Sequence, residues 1–182
     1  TECGADVLVV STDSRSLTKD RALVATVQTV KQVLQLKPDW IYKKTDSVLR
    51  GYVTDELKMQ LQLMGMEKAF LLPANPSLGR TITNGEYFIA GKRINETAFK
   101  DDPEFPLSSS FVTAILKNEV VLVNQRSAMP AKGIVVGEAG TAAAVKTWAG
   151  RLDNNWLFAG AGDFFTALLE RTYLQVASPE VK

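Results

Sequence analysis

The chain has 182 residues, with 21 basic and 20 acidic side chains, and its formal net charge of +1 favours no charged class of partner. Apolar residues make up 46% and charged residues 23%, which is typical of a folded globular chain and excludes a disordered one. The sequence contains no histidine and a single cysteine, Cys3. This excludes Ser-His and Cys-His catalysis, an internal disulfide and a zinc site built on His or clustered Cys.

The first half of the chain alternates strand-like and helical patterns. Strands are predicted at Asp6–Val10, Trp40–Lys44 and Ala69–Leu72, and helices from about Leu23 to Leu34 and from about Val53 to Met64. Thr18 can cap the first helix, Pro38 bars its continuation, and Gly65 is well placed just beyond the second. A βαβαβ order of this kind predicts a parallel sheet with right-handed crossovers.

The middle of the chain departs from this rhythm. The segment from about Gly85 to Ile94 predicts a small β-hairpin outside the main sheet. The α/β pattern then resumes with a helix at Ser108–Leu116, strands at Val120–Val123 and Ile134–Val136, a helix at Thr141–Leu152, a strand at Trp156–Ala159 and a helix at Phe164–Leu174. We therefore predict one α/β domain over residues 1–182, with a mostly parallel sheet, helices on both faces and a small β-hairpin excursion.

The apolar runs are all much shorter than the roughly 20 residues that a membrane-spanning helix needs. We therefore expect no membrane association. The sequence starts at Thr1 without a Met and without a targeting signal, so we expect a cytoplasmic protein and treat the chain as part of a longer polypeptide.

The stretch Lys43–Gly51 gathers charged side chains, hydroxyls and a glycine at the C-terminal end of a predicted strand. In open parallel sheets, ligands bind at this end of the strands. Lys44 supplies an ammonium group, Arg50 a planar fork that can bind a carboxylate or phosphate bidentately, and Gly51 allows close backbone approach. Asp46 can accept hydrogen bonds from sugar hydroxyls. The alternative is a solvated charged loop with an internal Asp46–Arg50 ion pair.

Two other segments should reach the same rim of the sheet. Asp13 and Arg15 follow the first predicted strand, and Arg80 follows the third. The alternatives are an Asx turn or helix cap at Asp13 and a surface arginine in a Gly/Pro loop at Arg80. The convergence of three strand ends favours a binding site.

Other candidate chemistry is weaker. Gly160–Asp163 lies between a predicted strand and a helix, where backbone N–H groups can bind an anion, but a plain turn is the alternative. The segment lacks the third glycine of a dinucleotide-binding fingerprint and the Gly-Lys-Ser/Thr of a P-loop. The aromatic residues are not interspersed with basic residues, as they are in surfaces that bind single-stranded nucleic acid. We therefore predict no nucleotide site, no metal site and no nucleic-acid binding within this chain.

The ordered motifs resemble the N-terminal, sugar-binding domain of the four-carbon acid sugar kinases. The segments that carry the resemblance are Thr12–Arg15, Lys43–Gly51 with Glu56–Leu57, Pro73–Pro76, Gly79–Thr81, Gly85, Gly91, Glu96–Thr97, Phe99, Asp102–Pro103 and Pro106. Members of this family phosphorylate sugar acids such as threonate, erythronate and their oxo relatives at the terminal hydroxyl. The resemblance implies ATP and Mg²⁺ as cofactors, bound mainly by a separate C-terminal nucleotide-binding domain.

The resemblance also implies roles for individual residues. Arg50 and Lys44 would bind the substrate carboxylate or the transferred phosphoryl group, and Asp46 and Ser47 the sugar hydroxyls. The surrounding residues would be Asp13, Arg15, Gly51 and Arg80. The family's Asp-Asp-x-Thr-Gly segment, the expected source of a catalytic base, does not occur in this sequence, and neither does the nucleotide-binding domain.

Two further positions depart from the family pattern: Tyr52 stands where many relatives have Asn, and Glu138–Thr141 stands where Asp-Ala-x-Thr is common. We expect the isolated chain to be inactive and leave its oligomeric state open. The other hypothesis is a non-catalytic module that binds sugar acids and lacks a catalytic partner domain.

Overall fold

A computed structural model describes residues 6–174 of the chain. In this part of the chain the elements are α1 (Lys19–Gln35), β1 (Tyr42–Lys44), α2 (Val53–Met64), β2 (Lys68–Leu72), β3 (Arg80–Thr83), β4 (Glu86–Ile89), β5 (Lys92–Arg93), α3 (Val112–Ile115), β6 (Val121–Val123), β7 (Gly133–Gly137), α4 (Ala142–Arg151), β8 (Leu157–Gly160) and α5 (Gly162–Leu169). A π-helical turn, Glu170–Leu174, follows α5.

The main sheet has five strands in the order β1-β8-β2-β7-β6, and every neighbouring pair is parallel. The strands β3, β4 and β5 form a separate antiparallel sheet. The predicted α/β fold with a mostly parallel sheet is therefore confirmed. The excursion has three strands instead of the two of a hairpin, because Arg80–Thr83, interpreted from sequence as loop, pairs with β4.

The core lies between the main sheet and its helices. Phe70 in β2 packs against Trp148 of α4 and Phe164 of α5, with ring centroids 4.9 and 5.7 Å apart. Strand alternation turns Leu71 to the opposite face, where α2 packs against the sheet and α1 packs against α2. Burial of both sheet faces is typical of a parallel sheet joined by helical crossovers.

The helix α2 has the predicted limits. It ends at Gly65, which takes the left-handed conformation at φ 64°, where glycine lacks the steric penalty of other residues. Helix α1 begins after Thr18, as predicted, although the Thr18 side chain makes no capping hydrogen bond. The last predicted helix is α-helical only as far as Leu169.

The prediction of a strand at Asp6–Val10 is wrong. These residues are irregular and exposed, and Val9 is 87% exposed. The physical reason is that a strand needs a pairing partner, and no described strand lies beside this segment: β1 pairs with β8 along one edge only. Two other elements are shorter than predicted, since β1 begins at Tyr42 and the helix near Leu116 covers only Val112–Ile115.

Within residues 6–174, no helix combines the length and the apolarity that crossing a membrane requires.

Candidate functional site

The C-terminal ends of β1, β2 and β8 meet at one rim of the main sheet. The Thr45 amide donates a hydrogen bond to the Gly160 carbonyl at 3.1 Å, and the Ala161 amide donates to the Leu72 carbonyl at 3.0 Å. Gly160 has φ 144°, and a Cβ atom there would lie 2.1 Å from the Leu72 oxygen. Only glycine therefore allows β2 and β8 to approach this closely at the rim.

Asp46 is the centre of an ion-pair cluster at this rim. Its carboxylate accepts hydrogen bonds from Arg50 Nη2 at 2.9 Å, Arg50 Nε at 3.4 Å, Arg15 Nη1 at 3.2 Å and the Val48 amide at 2.9 Å. Burial tends to raise the pKa of Asp46, but the hydrogen bonds from Arg50, Val48 and Arg15 outweigh it and lower the pKa. Arg15 and Arg50 thus lie at the same end of the sheet, as the sequence predicts.

Arg50 is engaged by a second carboxylate. Its Nη1 donates to Asp102 at 3.0 Å, and its guanidinium carbon lies 5.2 Å from the centroid of the Phe99 ring. The amides of Phe105 and Glu104 donate to Asp102, and together with Arg50 they lower its pKa. The ion pair of the alternative interpretation is therefore present, while a role of Arg50 in binding substrate stays a prediction.

Ser47 and Arg80 meet beside this cluster. Arg80 Nη1 donates a hydrogen bond to Ser47 Oγ. The buried Tyr87 hydroxyl donates to the Ser47 carbonyl, and the Pro73 carbonyl oxygen lies 3.2 Å from the same hydroxyl. Burial raises the pKa of Tyr87, so this hydroxyl remains a hydrogen-bond donor at neutral pH. Tyr87 links the small sheet to the rim.

Lys44 and Arg80 differ from Arg15 and Arg50 in their charge partners. Within residues 6–174, neither Lys44 nor Arg80 has a carboxylate at ion-pair distance. The Lys44 ammonium donates to the Thr45 carbonyl at 2.7 Å. Partial desolvation lowers the pKa of Lys44; the Arg80 charge also lowers it, and Asp46 opposes both. Two neighbouring cations without an ion-pair partner among these residues form a suitable binding place for an anion.

Not every predicted residue joins the cluster. Asp13 is exposed at φ 45°, and its side chain makes no hydrogen bond within the described residues. Gly51 has φ 89° and lies beside Arg15: a Cβ atom on Gly51 would be 3.7 Å from Arg15 Cγ. Lys43 points away from Lys44, as strand alternation predicts, and its ammonium lies 2.5 Å from Glu56 Oε2.

Three residues that organise the rim were not predicted from the sequence. Tyr87 was given no role, and Asp102 was noted only within the segment Asp102–Pro103 of the resemblance. Glu56 was noted only as part of the resemblance. The family motifs that contain Asp102 and Glu56 could have pointed to both residues. The contact of Asp102 with Arg50 and that of Glu56 with Lys43 join different segments of the chain, so the motifs alone did not predict them.

The turn Gly160–Asp163 offers no free anion site. The Asp163 carboxylate accepts hydrogen bonds from the Ser77 hydroxyl at 2.6 Å and the Ser77 amide at 2.9 Å, and the Asp163 amide donates to Asn75 Oδ1 at 2.8 Å. In residues 6–174 no group of three acidic or Cys side chains is arranged to hold a metal ion. A place for ATP and Mg²⁺ in a separate domain stays a prediction that the resemblance implies.

A cavity of about 610 Å³ adjoins the rim. Its polar lining includes Lys44 and Thr12, and its apolar lining includes Val9, Trp40 and Phe165. It lies between the exposed segment Val7–Val10 and β1, whose outer edge pairs with no described strand. The ion-pair cluster around Asp46 does not line it.

The fold and the rim together define a parallel α/β binding domain whose cations, carboxylate and hydroxyls suit a small, hydroxylated anion. Residues 1–165 match the family described as the sugar-binding N-terminal domain, and the chain belongs to this family.

Several curated relatives of this chain are kinases of four-carbon sugar acids, which confirms the resemblance found from the motifs. The chain is 33% identical over 113 residues to a D-threonate kinase of Salmonella typhimurium, covering 62% of the chain and 27% of the relative. It is 28% identical over 112 residues to a D-erythronate kinase of Heliobacterium modesticaldum, covering 61% and 26%. It is 26% identical over 119 residues to a 3-oxo-tetronate kinase of Brucella melitensis, covering 63% and 27%. The aligned part thus spans about a quarter of each relative.

Solved structures share the fold. A Bordetella bronchiseptica protein, crystallised as a domain-swapped dimer with bound citrate, has a TM-score of 0.76 and 25% identity over 87% of this chain and 44% of its own. A Haemophilus influenzae protein has a TM-score of 0.78 and 17% identity, over 87% of this chain and 44% of its own, and supports the fold alone.

Proposed function

We propose that this chain is the substrate-binding part of an ATP-dependent kinase that phosphorylates a four-carbon sugar acid of the threonate, erythronate or oxo-tetronate type at its terminal hydroxyl. The observation that carries the proposal is the pair of cations Lys44 and Arg80, which have no ion-pair partner within residues 6–174 and lie beside the hydroxyl-binding candidates Asp46 and Ser47. The names of the curated relatives and the citrate bound by the Bordetella protein support the same class of ligand.

Phosphoryl transfer requires little covalent chemistry from the protein, since positioning and charge stabilisation supply most of the rate. Lys44 and Arg80 would bind the carboxylate or the transferred phosphoryl group, and Arg50 would hold Asp46 toward the sugar hydroxyls. Asp13, Arg15 and Gly51 would surround the ligand. ATP, held with Mg²⁺ outside this domain, would supply the phosphoryl group.

We also propose that the full protein contains the C-terminal nucleotide-binding domain and the acidic first strand that the resemblance implies. The edge of β1 that no strand within residues 6–174 pairs with, and the largely apolar cavity beside it, suit one further parallel strand of the same polypeptide. Thr26 lines this cavity, and its buried hydroxyl has no hydrogen-bond partner among the described residues. Peptides from outside these 182 residues, detected by mass spectrometry of the natural protein, would support this arrangement; their absence would contradict it.

For its partners, we propose a small-molecule sugar acid and a second copy of the protein, with neither nucleic acid nor membrane. The Bordetella protein, a domain-swapped dimer, supports the homo-oligomer. We propose that the protein acts in the cytoplasm, where its substrates and ATP would be available. Light scattering at several protein concentrations tests the oligomer, and a monomer throughout would contradict it.

The function is tested with the full-length protein, ATP and a panel of four-carbon acids, followed by ADP release. Threonate, erythronate and oxo-tetronate epimers form one arm, and the neutral polyols threitol and erythritol, which lack the carboxylate, form the other. We expect turnover of one or two acids and none of the polyols. Lys44→Gln should abolish most of this turnover, whereas Lys92→Gln, at an exposed position on β5, should not. Equal rates across the whole panel would contradict the proposal.

A further inference from the structure

The segment of residues 6–17, which carries Arg15 to the rim, belongs to no helix or strand. It has one buried residue, Ser14, which is 8% exposed. Arg15 itself is exposed, and its ion pair with Asp46 has 52% of the arginine side chain in solvent. An ion pair this exposed holds an arginine only weakly. The position of Arg15 must therefore depend on how the neighbouring residue is fixed.

Ser14 is fixed by a buried carboxylate. Its hydroxyl donates a hydrogen bond of 2.7 Å to Glu56 Oε1, and Thr12 Oγ1 lies 3.0 Å from the same hydroxyl. Glu56 is 7% exposed and lies in the first turn of α2, where the helix dipole favours a negative charge. A hydrogen bond to a buried carboxylate is stronger than one between neutral groups.

The other carboxylate oxygen of Glu56 is occupied by Lys43. The Nζ–Oε2 distance is 2.5 Å, and 14% of the Lys43 side chain and 9% of the Glu56 side chain are exposed. Lys43 immediately precedes Lys44 in β1, and Glu56 lies in the first turn of α2, five residues after Gly51. The Lys43–Glu56–Ser14 network therefore joins residues 6–17 to β1 and α2, the two elements that flank the stretch from Thr45 to Tyr52.

We propose that Glu56 is a positioning residue which, through Ser14, holds Arg15 against Asp46 and so maintains the affinity for the sugar acid. This inference rests on the proposed function but concerns residues to which that function assigns no role. Glu56 and Lys43 act only through other residues, because both side chains are buried on the side of β1 away from Lys44.

The test uses Ser14→Ala in the full-length protein, which removes the link while leaving the Glu56–Lys43 ion pair intact. Asp55→Asn is the matched control, since Asp55 lies in the same helical turn but pairs with Lys19 at 2.7 Å. We expect Ser14→Ala to raise KM for the best sugar acid three- to tenfold with kcat within twofold of the parent, and Asp55→Asn to change neither. In an Arg15→Ala background, Ser14→Ala should raise KM less than twofold further, because its effect passes through Arg15.

Limited trypsin digestion gives a readout that does not depend on the activity. Cleavage after Arg15 should be at least fivefold faster in Ser14→Ala than in the parent, while cleavage after Arg126, in a separate exposed turn, should not change. Unchanged cleavage after Arg15, or an equal increase at both sites, would overturn the anchoring role. Faster cleavage with an unchanged KM would overturn the link to substrate affinity. A full-length parent without kinase activity would remove the proposed function, and the digestion would still decide the anchoring role.

Discussion

Arg50→Lys tests the side chain of the candidate site that binds two carboxylates at once. Arg50 donates to Asp46 through Nε and Nη2, at 3.4 and 2.9 Å, and to Asp102 through Nη1 at 3.0 Å. An ammonium group is a point donor on a differently shaped side chain and cannot reproduce this fork. We therefore expect lysine to lose the contact with one of the two carboxylates, although the formal charge is unchanged.

The expected loss follows from the burial of the pair. The Arg50 side chain is 22% exposed, and Asp46 and Asp102 are 15% and 13% exposed, so the interactions are less screened than those of surface pairs. A hydrogen bond to a charged group contributes about 1.5–3 kcal/mol, and residual exposure reduces this to about 1–2 kcal/mol for the lost carboxylate. For a domain of this size, that corresponds to a fall in melting temperature of roughly 2–8 °C. If Asp46 is also misplaced relative to the sugar hydroxyls, turnover should fall roughly tenfold to a hundredfold.

The assay combines calorimetry of this domain's unfolding transition with steady-state kinetics on the best sugar acid. Arg93→Lys is a matched control, since Arg93 also binds a carboxylate, Glu86, through two nitrogens but lies on β5 with half its side chain exposed. It should shift the melting temperature by no more than about 1–2 °C and leave the kinetics unchanged. A raised KM for Arg50→Lys would indicate ground-state binding, and a lower kcat would indicate contact in the transition state. Kinetics within twofold of the parent would remove Arg50 from the site.

Two further predictions concern the rim itself. Gly160→Ala should destabilise the domain by more than about 3 kcal/mol, because the new Cβ would lie 2.1 Å from the Leu72 oxygen, whereas Gly162→Ala, with its nearest neighbour 3.9 Å away, should stay within about 0.5 kcal/mol. Urea denaturation measures both, and equal midpoints would contradict the close approach of the strands. The pKa values of Asp46 and Asp102 are lowered on folding, so the unfolded chain binds more protons and stability is lost as pH falls through and below the ordinary value of 3.8. Asp46→Asn should flatten this loss in acid denaturation, and an unchanged slope would refute its assignment to Asp46.

The parts of the fold that depend on local sequence could be predicted. Helix α2 was predicted with its limits because an apolar stripe and a terminal glycine encode it within one segment. The parallel sheet followed from the alternation of such segments. The apolar run Val7–Val10 has the same local signal as a strand, yet strand formation depends on a partner elsewhere in the chain, and no described strand pairs with it. Sequence pattern alone does not contain that information.

In the candidate site, too, contacts within one segment could be predicted and contacts between distant segments could not. The Asp46–Arg50 ion pair joins residues four apart in one segment, and it was predicted as the alternative to a binding role for these residues. The contact of Arg50 with Asp102 spans 52 residues, and that of Ser14 with Glu56 spans 42. Such contacts follow from the topology of the sheet, which brings the loops of different strands to one rim.

The rim contains two kinds of cation, and this difference bears on where an anionic ligand binds. Arg15 and Arg50 already face Asp46, so a ligand carboxylate placed there would be repelled by the carboxylate that holds them. Lys44 and Arg80 have no such partner within residues 6–174, and partial burial, with a smaller contribution from the Arg80 charge, lowers the pKa of Lys44, so a bound anion would stabilise its charged form. The ligand carboxylate or phosphoryl group should therefore bind at Lys44 and Arg80, while Arg50 acts on the hydroxyl end of the substrate through the orientation of Asp46.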